Sequence, residues 1–256
     1  MELIQALILS FVEGVTEFLP ISSTGHLLLV TRFLNIPQTE FVKSFEVIIQ
    51  LGAILSVVVI YWKKLLGNFK LWKNIVVAFI PAAVVGLLLY DFIKAVLFEN
   101  ILVVVFALLI GGILLIVIEK FFKEKDSAVG SLEELTLKQS FLVGIAQAFS
   151  VIPGTSRAAS TIIGGLLVGA KRKVAVEFSF LLAIPTMMAA TGLDLVKSDF
   201  SFSSNELMIL GVGFIGSFIT AMFVVKWFIK FVQTNNFFWF GVYRIVLAVL
   251  FLVFLR

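Results

Sequence analysis

Glu13-Gly14-Val15-Thr16-Glu17-Phe18-Leu19-Pro20-Ile21-Ser22-Ser23-Thr24-Gly25-His26 is the stretch on which the fold turns. It sits inside the apolar segment 3–34 and interrupts it with two carboxylates, a proline, a cluster of hydroxyls and the only histidine in the chain. The pieces on either side are too short to cross a bilayer singly, because a crossing takes about 20 residues. A broken helix at membrane depth is tolerated only where it lines a polar cavity or is buried in protein. Residues 139–170 show the same pattern, broken by Pro153-Gly154-Thr155-Ser156-Arg157. Both segments are read as re-entrant helix–turn–helix hairpins.

The rest of the chain fits a bilayer. Hydrophobic residues make up 61% and charged residues 14% of the 256 residues, and Phe alone occurs 28 times. The mean hydropathy is +1.13. Six stretches have the length and character of spans: 45–62, 75–92, 101–118, 174–193, 206–228 and 237–255. The expected architecture is one all-α transmembrane domain over 1–256, with six spans and two re-entrant hairpins. The N-terminus has no basic region and no small-residue cleavage pattern, so no removed signal peptide is expected. There is no cysteine, hence no disulfide and no thiolate metal site. The net charge of +4 is assigned to cytoplasmic loops, which excludes nucleic-acid binding as a reading.

Lysine placement orients the bundle. Lys63, Lys64, Lys70 and Lys73 make the loop 63–73 cytoplasmic. The next helix leads outward to Asp91, Lys94 and Glu99, and 101–118 returns to Lys120, Lys123, Lys125 and Lys138. Lys171, Arg172 and Lys173 join that side only if 139–170 enters and leaves by the cytoplasmic face. The first hairpin then dips from the outer face, and both termini lie outside. The halves 1–118 and 139–256 also resemble each other. Gly14-Val15-Thr16-Glu17 aligns with Gly144-Ile145-Ala146-Gln147, Pro20 to Thr24 with Pro153 to Arg157, and Phe45-Glu46 with Val176-Glu177. One hairpin and three spans per half make an inverted-topology repeat, which places a site near the midplane at the repeat interface.

The chemistry is concentrated at the two breaks. Glu13 and Glu17, at i and i+4, share a helix face and ionise together only beside a cation. Oxygen ligands suit Mg²⁺ or Ca²⁺. The bland alternative is one protonated carboxyl in a solvated funnel. Ser22, Ser23, Thr24 and Gly25 open a second short helix carrying His26, and a helix N-terminus is an anion site. Plain N-capping by Ser or Thr is the commoner use. It does not account for Glu13, Glu17 and His26 nearby. Arg157, preceded by Gly154, Thr155 and Ser156, is costly in lipid unless paired, and its planar fork suits phosphate. Its alternative is a structural ion pair with Glu13, Glu17 or Glu177. Arg244 needs a partner that the sequence does not name. No Walker loop, dinucleotide fingerprint or HExxH is present.

These motifs, with Phe178-Ser179-Phe180-Leu181-Leu182-Ala183-Ile184-Pro185, resemble the undecaprenyl-diphosphate phosphatase (bacitracin-resistance) family over nearly the whole chain. The family continues after the arginine with Ser-Gly; here Ala158-Ala159 follow. The resemblance implies hydrolysis of undecaprenyl diphosphate to the monophosphate carrier for cell-wall synthesis. It implies an enzyme in the bacterial inner membrane whose site opens to the outer face. It places Glu17, Ser23, His26 and Arg157 on functional positions with Glu13 beside them, and it implies that bacitracin competes for the lipid and not for the protein. A homodimer is compatible with the sequence. Either Ser23, with His26 as base and later acid, or His26 itself attacks phosphorus. The rival class is a lipid-phosphate flippase or transporter built on the same inverted repeat.

Overall fold

A computed structural model describes residues 1–89, 100–121, 124, 128–197 and 202–254. The expected loop residues Asp91, Lys94 and Glu99, and also Lys123 and Lys125, lie outside the described residues. Among the described residues the structure is helical: α1 (Leu3–Thr16), α2 (Ser23–Phe33), α3 (Glu40–Leu65), α4 (Phe69–Leu88), α5 (Ile101–Phe121), α6 (Leu137–Ala148), α7 (Arg157–Leu167), α8 (Arg172–Lys197), α9 (Ser204–Phe231) and α10 (Phe238–Phe254). Five of these, α3, α4, α5, α8 and α9, are long and apolar enough to cross a membrane. The sixth expected span, α10, is apolar and runs for 17 residues. The chain is a multi-pass membrane protein.

Side-chain caps set the starts of these helices. Asn68 Oδ1 accepts from the Leu71 N–H, and Thr39 Oγ1 accepts from that of Val42. Thr136 with Gln139, and Ser203 with Glu206, form capping boxes at α6 and α9.

Small residues let the short helices approach their neighbours. α1 packs along α9 and α6 along α4. A Cβ on Gly14 would stand 2.6 Å from Thr220 Cβ, and one on Gly144 would meet the Ala78 carbonyl. At 14 and 12 residues, α1 and α6 reach about 21 and 18 Å at 1.5 Å per residue, well short of a bilayer of about 30 Å.

The two short-helix pairs are attached at opposite ends of α3. Ala6, Leu9, Leu27 and Ile36 of the first pair cluster with Val42 and Phe45 at the start of α3. In the second pair Gln139 Nε2 donates to the Val168 carbonyl at 2.9 Å, so the chain returns beside its entry. That end is joined to the close of α3 through α8, where Lys64 pairs with Glu177 at 3.0 Å. Arg172 pairs with Glu119 at 2.7 Å and brings the end of α5 to the same place. Lys63, Lys64, Lys120, Lys138, Lys171, Arg172 and Lys173 therefore share one end of the molecule. The tips of the two pairs meet between the ends.

Candidate active site

Each tip is a turn that delivers a serine as N-cap. Ser22 (φ 71°, ψ 94°) and Ser156 (φ 72°, ψ 111°) share a left-handed φ that serine rarely adopts. Ser22 Oγ accepts from the Gly25 N–H at 3.4 Å, and Ser156 Oγ from that of Ala159 at 3.1 Å. The equivalent residues are thus Ser22 and Ser156, one position away from the pairing read from sequence. Ser23 and Arg157 stand at matching first positions of two 11-residue helices. With Gly25 and Ala159 capped, the first two N–H groups of each helix, at Ser23, Thr24, Arg157 and Ala158, have no acceptor among the described residues. Two positive helix ends face each other. Ala158 adds no side-chain donor there, only its backbone N–H.

Three of the predicted residues are bonded directly. Arg157 Nη2 meets Glu17 Oε1 at 2.9 Å, and Ser23 Oγ donates to Glu17 Oε2 at 2.7 Å. The pair is buried, with 7% and 3% of the two side chains exposed, so it is unscreened by water. Arg157 Nη1 donates to the Ser179 carbonyl at 2.9 Å, and Thr161 Oγ1 donates to Ser179 Oγ at 2.6 Å. The guanidinium lies over the Phe18 ring at 5.7 Å, and Phe180 stands edge-on to that ring. The fork is held on several sides, while Arg157 Nε has no partner.

His26 makes no hydrogen bond to Ser23; its partners are Ser22 and Tyr243. A carbonyl can only accept, so Nδ1 must carry the proton it donates to the Ser22 carbonyl at 2.7 Å. In the neutral ring Nε2 is bare and accepts from the Tyr243 hydroxyl at 2.6 Å. The neighbouring Arg244 is fully buried and needs no carboxylate. Its Nη1 donates to the Pro20 carbonyl at 3.2 Å, and its Nη2 donates to those of Gly154 and Ala107 at 3.0 Å each. Nε donates to the Leu108 carbonyl at 3.3 Å. One guanidinium thereby ties both tips to α5. Thr24 and Thr155 line the tips half-buried, Glu46 lies by Gln38, and Glu177 is taken by Lys64.

The carboxylates can accommodate a hard cation. Glu13 is completely buried beside Glu17, and neither of its oxygens has a hydrogen-bond donor. An ionised carboxylate left so is costly. No group of three or more acidic or imidazole side chains that could hold a metal occurs among the described residues. Glu13 and Glu17 would be the only protein ligands, and because Arg157 and Ser23 already engage both Glu17 oxygens, the free oxygens are those of Glu13.

A sequence model of the family described as "Bacitracin resistance protein BacA" matches residues 6–250. The chain belongs to the BacA family. Relatives named Undecaprenyl-diphosphatase align with nearly the whole of this chain. That of Aquifex aeolicus is 53% identical over 98% of the chain and 97% of its own length. Those of Wolinella succinogenes and Methanococcus aeolicus are 48% and 44% identical, over 100% and 99% of the chain and 99% of their own lengths. Tyr243, Ser179 and Thr161 join the site without having been expected there from the sequence. Thr161 follows the second break directly, and Ser179 lies in the quoted Phe178–Pro185 motif. Tyr243 had no signal beyond its place next to an arginine in an oily span.

Proposed function

We infer that this chain is a membrane phosphatase that hydrolyses undecaprenyl diphosphate to undecaprenyl phosphate and inorganic phosphate, recycling the carrier for cell-wall synthesis. Its relatives carry that activity in their name across the full length. The single observation that carries the reading is the convergence of Glu17, Ser23 and Arg157, from two separate helix tips, on one point. Removal of the lipid's pyrophosphate form, for which bacitracin competes, accounts for resistance.

The geometry suggests the order of events. The substrate phosphates bind to Arg157 and to the free N–H groups of Ser23, Thr24, Arg157 and Ala158. Phosphate on the guanidinium loosens its hold on Glu17. Ser23 already points its proton at Glu17 Oε2, so Glu17 takes the base role first expected of His26. Ser23 Oγ bonds to the terminal phosphorus while the bridging P–O bond breaks, and undecaprenyl phosphate leaves. Glu17 passes the Ser23 proton to the departing undecaprenyl phosphate. Water, losing its own proton to the re-ionised Glu17, then cleaves the phosphoserine, and Glu17 returns the proton to Ser23 Oγ. Glu13, with Glu17 beside it, would hold a divalent ion, which would neutralise charge on the phosphate oxygens.

The two short-helix pairs are re-entrant hairpins, and α1–α5 and α6–α10 form an inverted repeat with six spans. The reciprocal packing of α1 on α9 and α6 on α4 supports this, as do the twin serine caps. With the lysine-rich end inside, the site opens to the outer face of the bacterial inner membrane. The test is phosphate release from undecaprenyl diphosphate by purified protein in detergent with Mg²⁺ or Ca²⁺. Release that vanishes in Arg157→Ala and Glu17→Ala is expected. No release by the wild type overturns the reading in favour of a transporter.

A further inference from the structure

The His26 ring is fixed at both nitrogens. Its Nδ1–H is committed to the Ser22 carbonyl, and its Nε2 lone pair to Tyr243, a residue 217 positions away on α10. The two rings lie nearly parallel, 4° apart with centroids at 5.5 Å. Tyr243 is itself held in place by the residue that follows it, because Arg244 is bolted to both tips. A nitrogen attacks phosphorus only with a free lone pair. Neither nitrogen of His26 has one while the phenol stays where it is. The Ser23 oxygen, by contrast, is poised against a carboxylate. We propose that Tyr243 is a positioning residue that holds His26 in the Nδ1–H tautomer with Nε2 occupied, and so reserves the phosphoryl group for Ser23.

This rests on the phosphatase reading and deepens it. It also explains why an imidazole beside a phosphoanhydride need not itself become phosphorylated. With the phenolic oxygen removed, Nε2 is bare. It can then form an N–P bond as the bridging P–O bond breaks and undecaprenyl phosphate departs.

Because His26 is the only histidine in the chain, ¹⁵N-histidine labelling reports on it alone. In wild-type protein in micelles, the spectrum should show one protonated nitrogen, Nδ1, and one bare, hydrogen-bonded nitrogen, Nε2. Tyr243→Phe keeps the ring and removes the donor. Its spectrum should lose the hydrogen-bonded signature at Nε2 or mix the two tautomers. Turnover of this variant with undecaprenyl diphosphate should fall severalfold in kcat with KM within about twofold, because part of the enzyme is diverted into phosphohistidine. Quenched turnover should show acid-labile phosphate on His26 in Tyr243→Phe and acid-stable phosphate on Ser23 alone in wild type. A Tyr243→Phe spectrum identical to wild type overturns the proposal, and so does phosphohistidine in the wild type. The spectra need no substrate, so a wild type that releases no phosphate counts against the phosphatase reading and leaves the tautomer result standing.

Discussion

Arg244→Met isolates what one buried guanidinium contributes. The side chain makes four hydrogen bonds, to the carbonyls of Pro20, Gly154, Ala107 and Leu108. The last two carbonyls lie inside α5 and keep helical partners. Those of Pro20 and Gly154 lie in the turns and accept from nothing else among the described residues. A buried acceptor left without its donor costs about 1–3 kcal/mol, so the two together cost about 2–6 kcal/mol. Removing a desolvated charge returns part of this. A net loss of about 3 kcal/mol is expected, roughly a hundredfold in the folded-to-unfolded ratio. Thermal unfolding in detergent, followed by tryptophan fluorescence, measures it alongside phosphate release. Arg244→Lys keeps the charge but lacks the fork, and should recover less than half. Gly111→Ala places a Cβ on the same guanidinium, 2.8 Å from its Cζ, and should mimic the loss. Combined with Arg244→Met it should add little, since the two act on one contact. An Arg244→Met protein with wild-type unfolding and wild-type turnover would refute the clamp.

Other consequences can be checked in the same preparations. Arg157→Met leaves Glu17 buried without its partner, so it should lose about 3–5 kcal/mol and all measurable turnover. Glu17→Gln/Arg157→Met should regain stability in unfolding scans and no activity. Gly144→Ala drives a methyl against the Ala78 carbonyl and should cost about 1–3 kcal/mol by the same scans, with activity reduced in proportion to folded protein. Chelation with EDTA should stop phosphate release, and Mg²⁺ or Ca²⁺ should restore it. Glu13→Gln should raise the ion concentration needed for half-maximal rate about tenfold or more. A wild-type ion requirement in that variant would remove Glu13 from the cation site.

What the sequence displayed were the features that lipid penalises. Proline and hydroxyl clusters inside oily runs marked both tips to within a few residues, and the cost of Glu17 and Arg157 in a bilayer pointed to their meeting. Backbone geometry was not displayed. The cap at Ser22 depends on a positive φ that no residue type in that turn announces. Arg244 stood out as an oddity, yet its partners are main-chain carbonyls, which every residue possesses. Tyr243 looked like any aromatic in a membrane helix, because what distinguishes it is a contact made across 217 residues. Several span edges moved outward by a few residues, as at α3 (Glu40–Leu65 against 45–62), because polar caps and lysines extend a helix beyond its oily centre.

The bridging arginine also limits how the molecule can move. Swinging the tips apart would strip Arg244 from one carbonyl and tear Arg157 from Glu17 in the same stroke, with no water at hand to compensate. A rigid keystone of this kind suits a workplace with a single doorway. If the tips stay joined through turnover, the trimmed carrier is expected to exit into the leaflet from which it entered.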